Sequence, residues 1–206
     1  VELEVARWQA AWSSQWADLP PVPFRLRLHR PRNWVRFHAL PQSQRYPETA
    51  AQYATVWQRH RRLLTELCAH GGDSPQDLVV VAQGGFAFGP SRQGELGDLL
   101  YEQIADRWRQ WFAQARFWRE HVEMDGAEAV TWQFVLAPCP LGAARTAALL
   151  RAVADEEMYS LFLAPPDARW LYHPYAGGAD VIAAPEVIAQ LRAAHPDWLP
   201  TNATGL

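Results

Sequence analysis

Four side chains suited to chemistry, Tyr172, His173, Tyr175 and Asp180, crowd into one short stretch of the chain. A histidine exchanges protons near neutral pH, a tyrosine donates a hydrogen bond, and a carboxylate can orient either. They belong to the run Arg-Trp-Leu-Tyr-His-Pro-Tyr-Ala-Gly-Gly-Ala-Asp-Val-Ile-Ala-Ala, residues 169–184. Two strand-forming runs, 170–173 and 181–183, flank Pro174 and the pair Gly177-Gly178. That pattern predicts a hairpin with its glycines at positive φ in the turn. Alternation then puts Trp170 and Tyr172 on one sheet face and Leu171 and His173 on the other, with Tyr175 projecting from the turn. No catalytic set is complete here. The ordinary reading is tyrosines at a sheet rim with Asp180 capping a turn; the functional one is a recognition edge, because tyrosine and tryptophan give large contact area at low entropic cost. Its members are Trp170, Tyr172, His173, Tyr175 and Asp180, with Arg45 contributed from upstream.

Other chemistries fail on their own residues. His121-Val-Glu123 followed by Pro138-Cys139 has the beginning of a zinc-deaminase pattern, H-x-E…P-C-x-x-C. Position 142 is Gly142, so only two ligands remain where catalytic zinc needs three. No G-x-S-x-G elbow occurs. Gln83–Gly94 is glycine-rich and follows a strand, yet it lacks both nucleotide fingerprints and reads as a surface loop. Asp155-Glu156-Glu157 reads as a solvated acidic run near a helix end. The expectation is a chain with no catalytic residues, no metal and no cofactor.

Composition narrows the class further. The 206 residues are 49% hydrophobic and 20% charged, values of a globular chain, with 11 tryptophans. A net charge of −3 gives no electrostatic reason for a polyphosphate partner. All 19 basic residues are arginine, which rules out Schiff-base and P-loop lysine chemistry. Cys68 and Cys139 stand far apart with no C-x-x-C, as expected of reduced thiols in a cytoplasmic protein. The sequence shows no signal-peptide pattern and no apolar run of membrane-spanning length.

The elements that must position the hairpin follow from periodicity. Trp8, Trp12 and Trp16 step by four through a helix over residues 1–18, a stripe suited to packing on the domain. Leu19-Pro20-Pro21-Val22-Pro23 stops it. Phe24–His29 alternates apolar and basic residues as a strand, and Trp34–Ala39 reads as a second. Arg25, Arg27, Arg32 and Arg36 read as a solvated sheet face, with an anion or nucleic-acid surface as the sharper alternative.

Further on, Pro47 begins a helix that Gly71-Gly72 ends. Asp77–Ala82 is a buried strand, and Glu95–Phe112 a helix. Arg116–Glu123 and Ala129–Ala137 pair across Asp125-Gly126. Helix 141–153, strand 159–163 and a short helix from Pro185 complete the chain, with residues 200–206 a frayed tail. The class expected is a single α+β domain over residues 1–206, a mainly antiparallel sheet flanked by four to five helices.

Tyr172-His-x-Tyr-x-x-x-x-Asp-Val-Ile-Ala183, followed by Trp198 after a short helix, resembles the bacterial family called domain of unknown function 3885. Arg45-Tyr-Pro47, Tyr53, Arg59 and the Asp77-Leu-Val-Val-Val run precede it in the same order. The resemblance spans roughly Arg45 to Trp198 and leaves the tryptophan helix outside. The family carries Asp-Asp-Arg-Gly in the hairpin turn, where this chain has Ala176-Gly177-Gly178-Ala179. The resemblance implies a fold class and brings no activity with it.

Abundant Trp, Tyr and Arg without a catalytic set point to a non-enzymatic interaction protein. Its expected partner is a protein, a toxin or other effector that it binds and neutralises or regulates, in the manner of an immunity protein. The competing expectation is an enzyme or small-ligand binder with a pocket near the 170–180 hairpin.

Overall fold

The computed structural model describes residues 4–17, 19–25, 31–88, 105–106, 108–125 and 128–201. Its strands are β1 (Trp34–His38), β2 (Val79–Phe88), β3 (Arg116–Asp125), β4 (Glu128–Pro138), β5 (Leu161–Ala164), β6 (Leu171–Tyr175) and β7 (Gly178–Ile182). They form one sheet in the order β1-β7-β6-β5-β2-β4-β3, and every pairing is antiparallel. The helices are α1 (Val5–Trp16), α2 (Ala50–Gly71), α3 (Ala144–Ala154) and α4 (Pro185–Ala194). The architecture is the expected α+β domain with an antiparallel sheet.

Both faces are buried at the centre of the sheet, because its central strands are apolar on both sides. Val80, Leu161, Leu163, Trp170, Tyr172 and Val181 join Leu63, Leu64 and Leu67 of α2 and Leu149, Leu150 and Val153 of α3 in one core. Val79, Val81, Phe134, Phe162, Leu171 and Ile182 face the other way and meet Trp8, Trp12 and Trp16 of α1. The tryptophan stripe therefore packs inward, as its spacing predicts. Trp12 stacks on Phe162 and meets Trp118 edge-on, with ring centroids 5.5 and 5.3 Å apart.

Several boundaries shift for local reasons. α2 begins at Ala50, not at Pro47, because Thr49 caps it. The Thr49 side chain accepts from the Gln52 backbone, and the Gln52 side chain reaches back to Thr49, a reciprocal capping box. Gly72 closes the helix in the left-handed conformation at φ 69. Residues 83–88 are strand, not loop: β2 runs on to Phe88, with a register shift between Gln83 and Gly85. Glycines there serve a bulge. α3 starts at Ala144, after a turn in which Gly142 takes φ 95.

Pro23–Arg25 is a short 3-10 turn, so the strand expected from Phe24 does not begin there, and residues 26–30 lie outside the described residues. Most of the expected helix 95–112 lies outside them too; residues 105–106 and 108–109 are helical. Pairing of β3 with β4 and the helix from Pro185 are as expected. Cys68 and Cys139 are free and buried. Among the described residues no helix is long and apolar enough to cross a membrane.

Candidate functional site

The hairpin forms, with β6 and β7 paired from Leu171↔Ile182 to Tyr175↔Gly178. Its turn is Ala176-Gly177, so Tyr175 ends a strand instead of lying in the turn. Neither Gly177 nor Gly178 is at positive φ; among the described residues Gly72 and Gly142 are the glycines that are. Glycine is required at 178 for a different reason. A Cβ there would lie 2.0 Å from the Phe37 carbonyl oxygen, because β1 runs tightly alongside.

Alternation places the side chains as expected, but both faces are covered. Trp170 and Tyr172 are buried under α2, where the Trp170 indole N–H donates to Asp73 Oδ2 at 3.0 Å. The Tyr172 hydroxyl meets His60 Nδ1 at 2.6 Å. Burial pushes His60 down to about 4, so its ring is neutral, and burial raises Tyr172 well above its ordinary value.

On the opposite face Asp180 is buried and accepts two bonds from Arg36, Nε to Oδ1 at 2.8 Å and Nη2 to Oδ2 at 3.0 Å. Burial works against the Arg36 charge, but the hydrogen bonds and charge of Asp180 hold the guanidinium above its ordinary value. The Arg36 guanidinium also lies 5.0 Å from the Tyr175 ring centre and 5.5 Å from that of Trp34. His173 is half-buried, with Nδ1 2.7 Å from the Leu161 carbonyl. Trp170, Tyr172 and Asp180 thus hold the sheet together and present no surface edge, since a side chain packed on both sides has no free face.

A surface does form around the hairpin tip. Arg45 sits beside it: a Cβ at Gly177 would lie 3.4 Å from both Arg45 Cγ and Tyr175 Cε2. Arg45 Nη2 and the Tyr46 hydroxyl both donate to Glu156 Oε1 at 3.1 Å. Tyr53 donates to Asp155, which raises the phenol's pKa, and the Arg151 guanidinium lies 4.6 Å from the Tyr53 ring centre. Glu156 and Ser160 hold φ of 57 and 55, left-handed values uncommon for such residues. Tyr159 between them is 73% exposed and Tyr46 46%. Reading the acidic run as solvated is correct for exposure, but two of its carboxylates are tied to arginine and tyrosine.

The remaining candidates separate. His121 lies 3.4 Å from Glu123 on β3 and opposite Trp132, whereas Cys139 is buried beyond the far end of β4, its thiol pushed up to about 12 by burial. Among the described residues no three His, Cys, Asp or Glu side chains could hold a metal. Arg25 pairs with Glu123 at 2.7 Å and Arg36 with Asp180, so the basic strands do not assemble an anion surface from these two, and Arg27 lies outside the described residues. Cavities of about 230, 240 and 290 Å³ lie along α1 and between α2 and α3, with linings that include none of Trp170, Tyr172, His173, Tyr175 and Asp180.

Sequence reasoning missed His60, Arg36 as the partner of Asp180, and the contact of Tyr46 with Glu156. Each depends on contacts between distant segments, and no local pattern marks them. Neither the curated proteins nor the solved structures include a match to this chain. Residues 22–203 match the family described as Domain of unknown function (DUF3885), a segment that starts after α1 and covers most of the chain, so the protein belongs to that family.

Proposed function

We propose that this chain is a non-enzymatic, cytoplasmic interaction protein that binds and neutralises or regulates a protein partner, as an immunity protein does. Its contact surface is the rim of the hairpin: Arg45, Tyr46, Glu156 and Tyr159. The observation that carries this reading is the exposure of Tyr46 beside an arginine–glutamate pair, with Tyr159 exposed three residues after that glutamate. Tyrosine and arginine dominate the residues on which protein partners lose most affinity when truncated. Glu156 and Ser160 of the same loop take left-handed φ, which carries a local conformational cost of the kind found at functional sites. Buried free thiols agree with a reducing compartment.

The test is calorimetric titration with the product of the neighbouring gene, alongside affinity capture from the source cells. One stoichiometric protein partner is expected. A co-purifying small molecule with no protein partner would contradict the proposal and favour a ligand-binding role.

A further inference from the structure

Two of the cavities along α1 adjoin. One of about 230 Å³ and one of about 290 Å³ share Arg7, Asp77 and Pro166 in their linings. Together they reach the roughly 300–1,000 Å³ in which small-molecule sites fall. Their ends differ in character. Trp8, Leu78, Val79, Pro138 and Pro140 wall the first, an apolar end. Asp73, Ser74, Asp167 and Arg169 line the second, a polar end. Arg7 comes from α1, which lies before the matched segment 22–203, so the cleft is completed by a part of the chain outside that segment.

The charges of the polar end are matched among themselves. Arg169 pairs with Asp167 and lies 3.4 Å from Asp73, whose carboxylate also accepts from the Trp170 indole. Those shared by the two cavities are not matched. Among the described residues the side chains of Arg7 and Asp77 make no hydrogen bond or ion pair, and neither does that of Glu4, a second carboxylate on the apolar cavity. Asp77 is nevertheless held in place. Its backbone N–H donates to the Ser74 carbonyl at 3.0 Å, the Gln76 side chain donates to the Leu141 carbonyl, and the Leu141 N–H donates to the Pro75 carbonyl at 2.7 Å. The backbone at Arg7 is fixed by its neighbour Trp8, which is buried and meets Trp118 edge-on. A guanidinium and a carboxylate that do not satisfy each other, both on anchored backbone beside an apolar cavity, are arranged to take opposite charges from one ligand.

We propose that this cleft binds a free α-amino acid with an apolar side chain. The ligand's carboxylate pairs with Arg7, its ammonium pairs with Asp77, and its side chain fills the apolar end against Trp8, Leu78 and Val79. The walls select that class. An anion alone would leave Asp77 facing it, a cation alone would leave Arg7 facing it, and a zwitterion meets both. Binding here makes and breaks no covalent bond. It does not depend on the rim as a partner surface, since Arg45, Tyr46, Glu156 and Tyr159 line neither cavity.

The test is calorimetric titration of the full chain with leucine, methionine and phenylalanine, followed by the amide and the deaminated acid of whichever binds most tightly. At least one amino acid should bind and raise the melting temperature, as a ligand of the folded state must. Loss of either charge from the ligand should weaken binding at least about 10-fold, the scale of one charge-assisted hydrogen bond. Arg7→Gln should cost as much for the amino acid but nothing further for its amide, and Asp77→Asn should behave in the same way toward the deaminated acid. This double comparison separates a lost contact from a damaged fold, because a damaged fold weakens every ligand. No heat and no thermal shift with any of the amino acids at millimolar concentration would overturn the proposal. So would equal binding of the amino acid, its amide and its deaminated acid, since neither Arg7 nor Asp77 would then meet the ligand.

Discussion

Arg36, Asp180 and Tyr175 at one place near the hairpin tip, and Arg45, Glu156 and Tyr46 at another, each join an arginine, a carboxylate and a tyrosine, in two settings. The first ion pair has side-chain exposures of 9% and 7%, the second of 60% and 51%. In the first, solvent is gone and both carboxylate oxygens are satisfied by the guanidinium fork. Removing one partner there strands a charge. In the second, water screens the charges and can replace either of them, so the pair contributes little to stability and its groups remain available to a partner. Residue type therefore does not assign a role in this protein; the covering does.

The largest expected effect breaks the buried ion pair. Asp180→Ala should destabilise the fold by about 3–5 kcal/mol in urea unfolding, because the buried Arg36 charge loses its carboxylate partner. A cost below 1 kcal/mol would mean that water reaches the pair.

Acid should act next, through His60. Its folded pKa is lowered to about 4 from an ordinary 6.5, so the unfolded chain binds the proton more readily. Stability that His60 permits is fully present above about 6.5, falls as pH drops through that window, and levels off below 4. The loss attributable to this one group is about 3 kcal/mol. A His60→Leu chain should show an unfolding free energy with that much less dependence on pH across the window.

How far the sequence carries depends on whether a feature is local. The hairpin and the facing of Trp170 and Tyr172 against Leu171 follow from the period-two pattern and Pro174, within one stretch of chain. Burial of both faces does not, because it needs α1 on one side and α2 on the other. Arg36 reads as a solvating residue in its own strand and becomes an ion-pair partner only when β1 pairs with β7, Arg36 opposite Asp180. The turn glycines show the same limit. Their number suggests positive φ, whereas Gly178 answers a close approach by the backbone of β1.

Smaller effects sharpen the contrast. Tyr172→Phe removes the hydroxyl that meets His60 and leaves a buried ring nitrogen unpaired, at an expected cost of about 1–3 kcal/mol in thermal or urea unfolding. Glu156→Ala, which removes the exposed counterpart, should shift stability by about 0.5 kcal/mol or less. If Glu156→Ala costs as much as Tyr172→Phe, the rim is structural and the comparison fails.

The central claim is that the body of the hairpin holds the fold and its rim meets the partner. It is tested most directly by measuring partner affinity and melting temperature on the same chain carrying Tyr46→Ala and Tyr159→Ala. The account predicts an unchanged melting temperature and a loss of roughly 2 kcal/mol or more in binding, about 30-fold in Kd. Undiminished affinity, or affinity lost only because the variant unfolds, would contradict it.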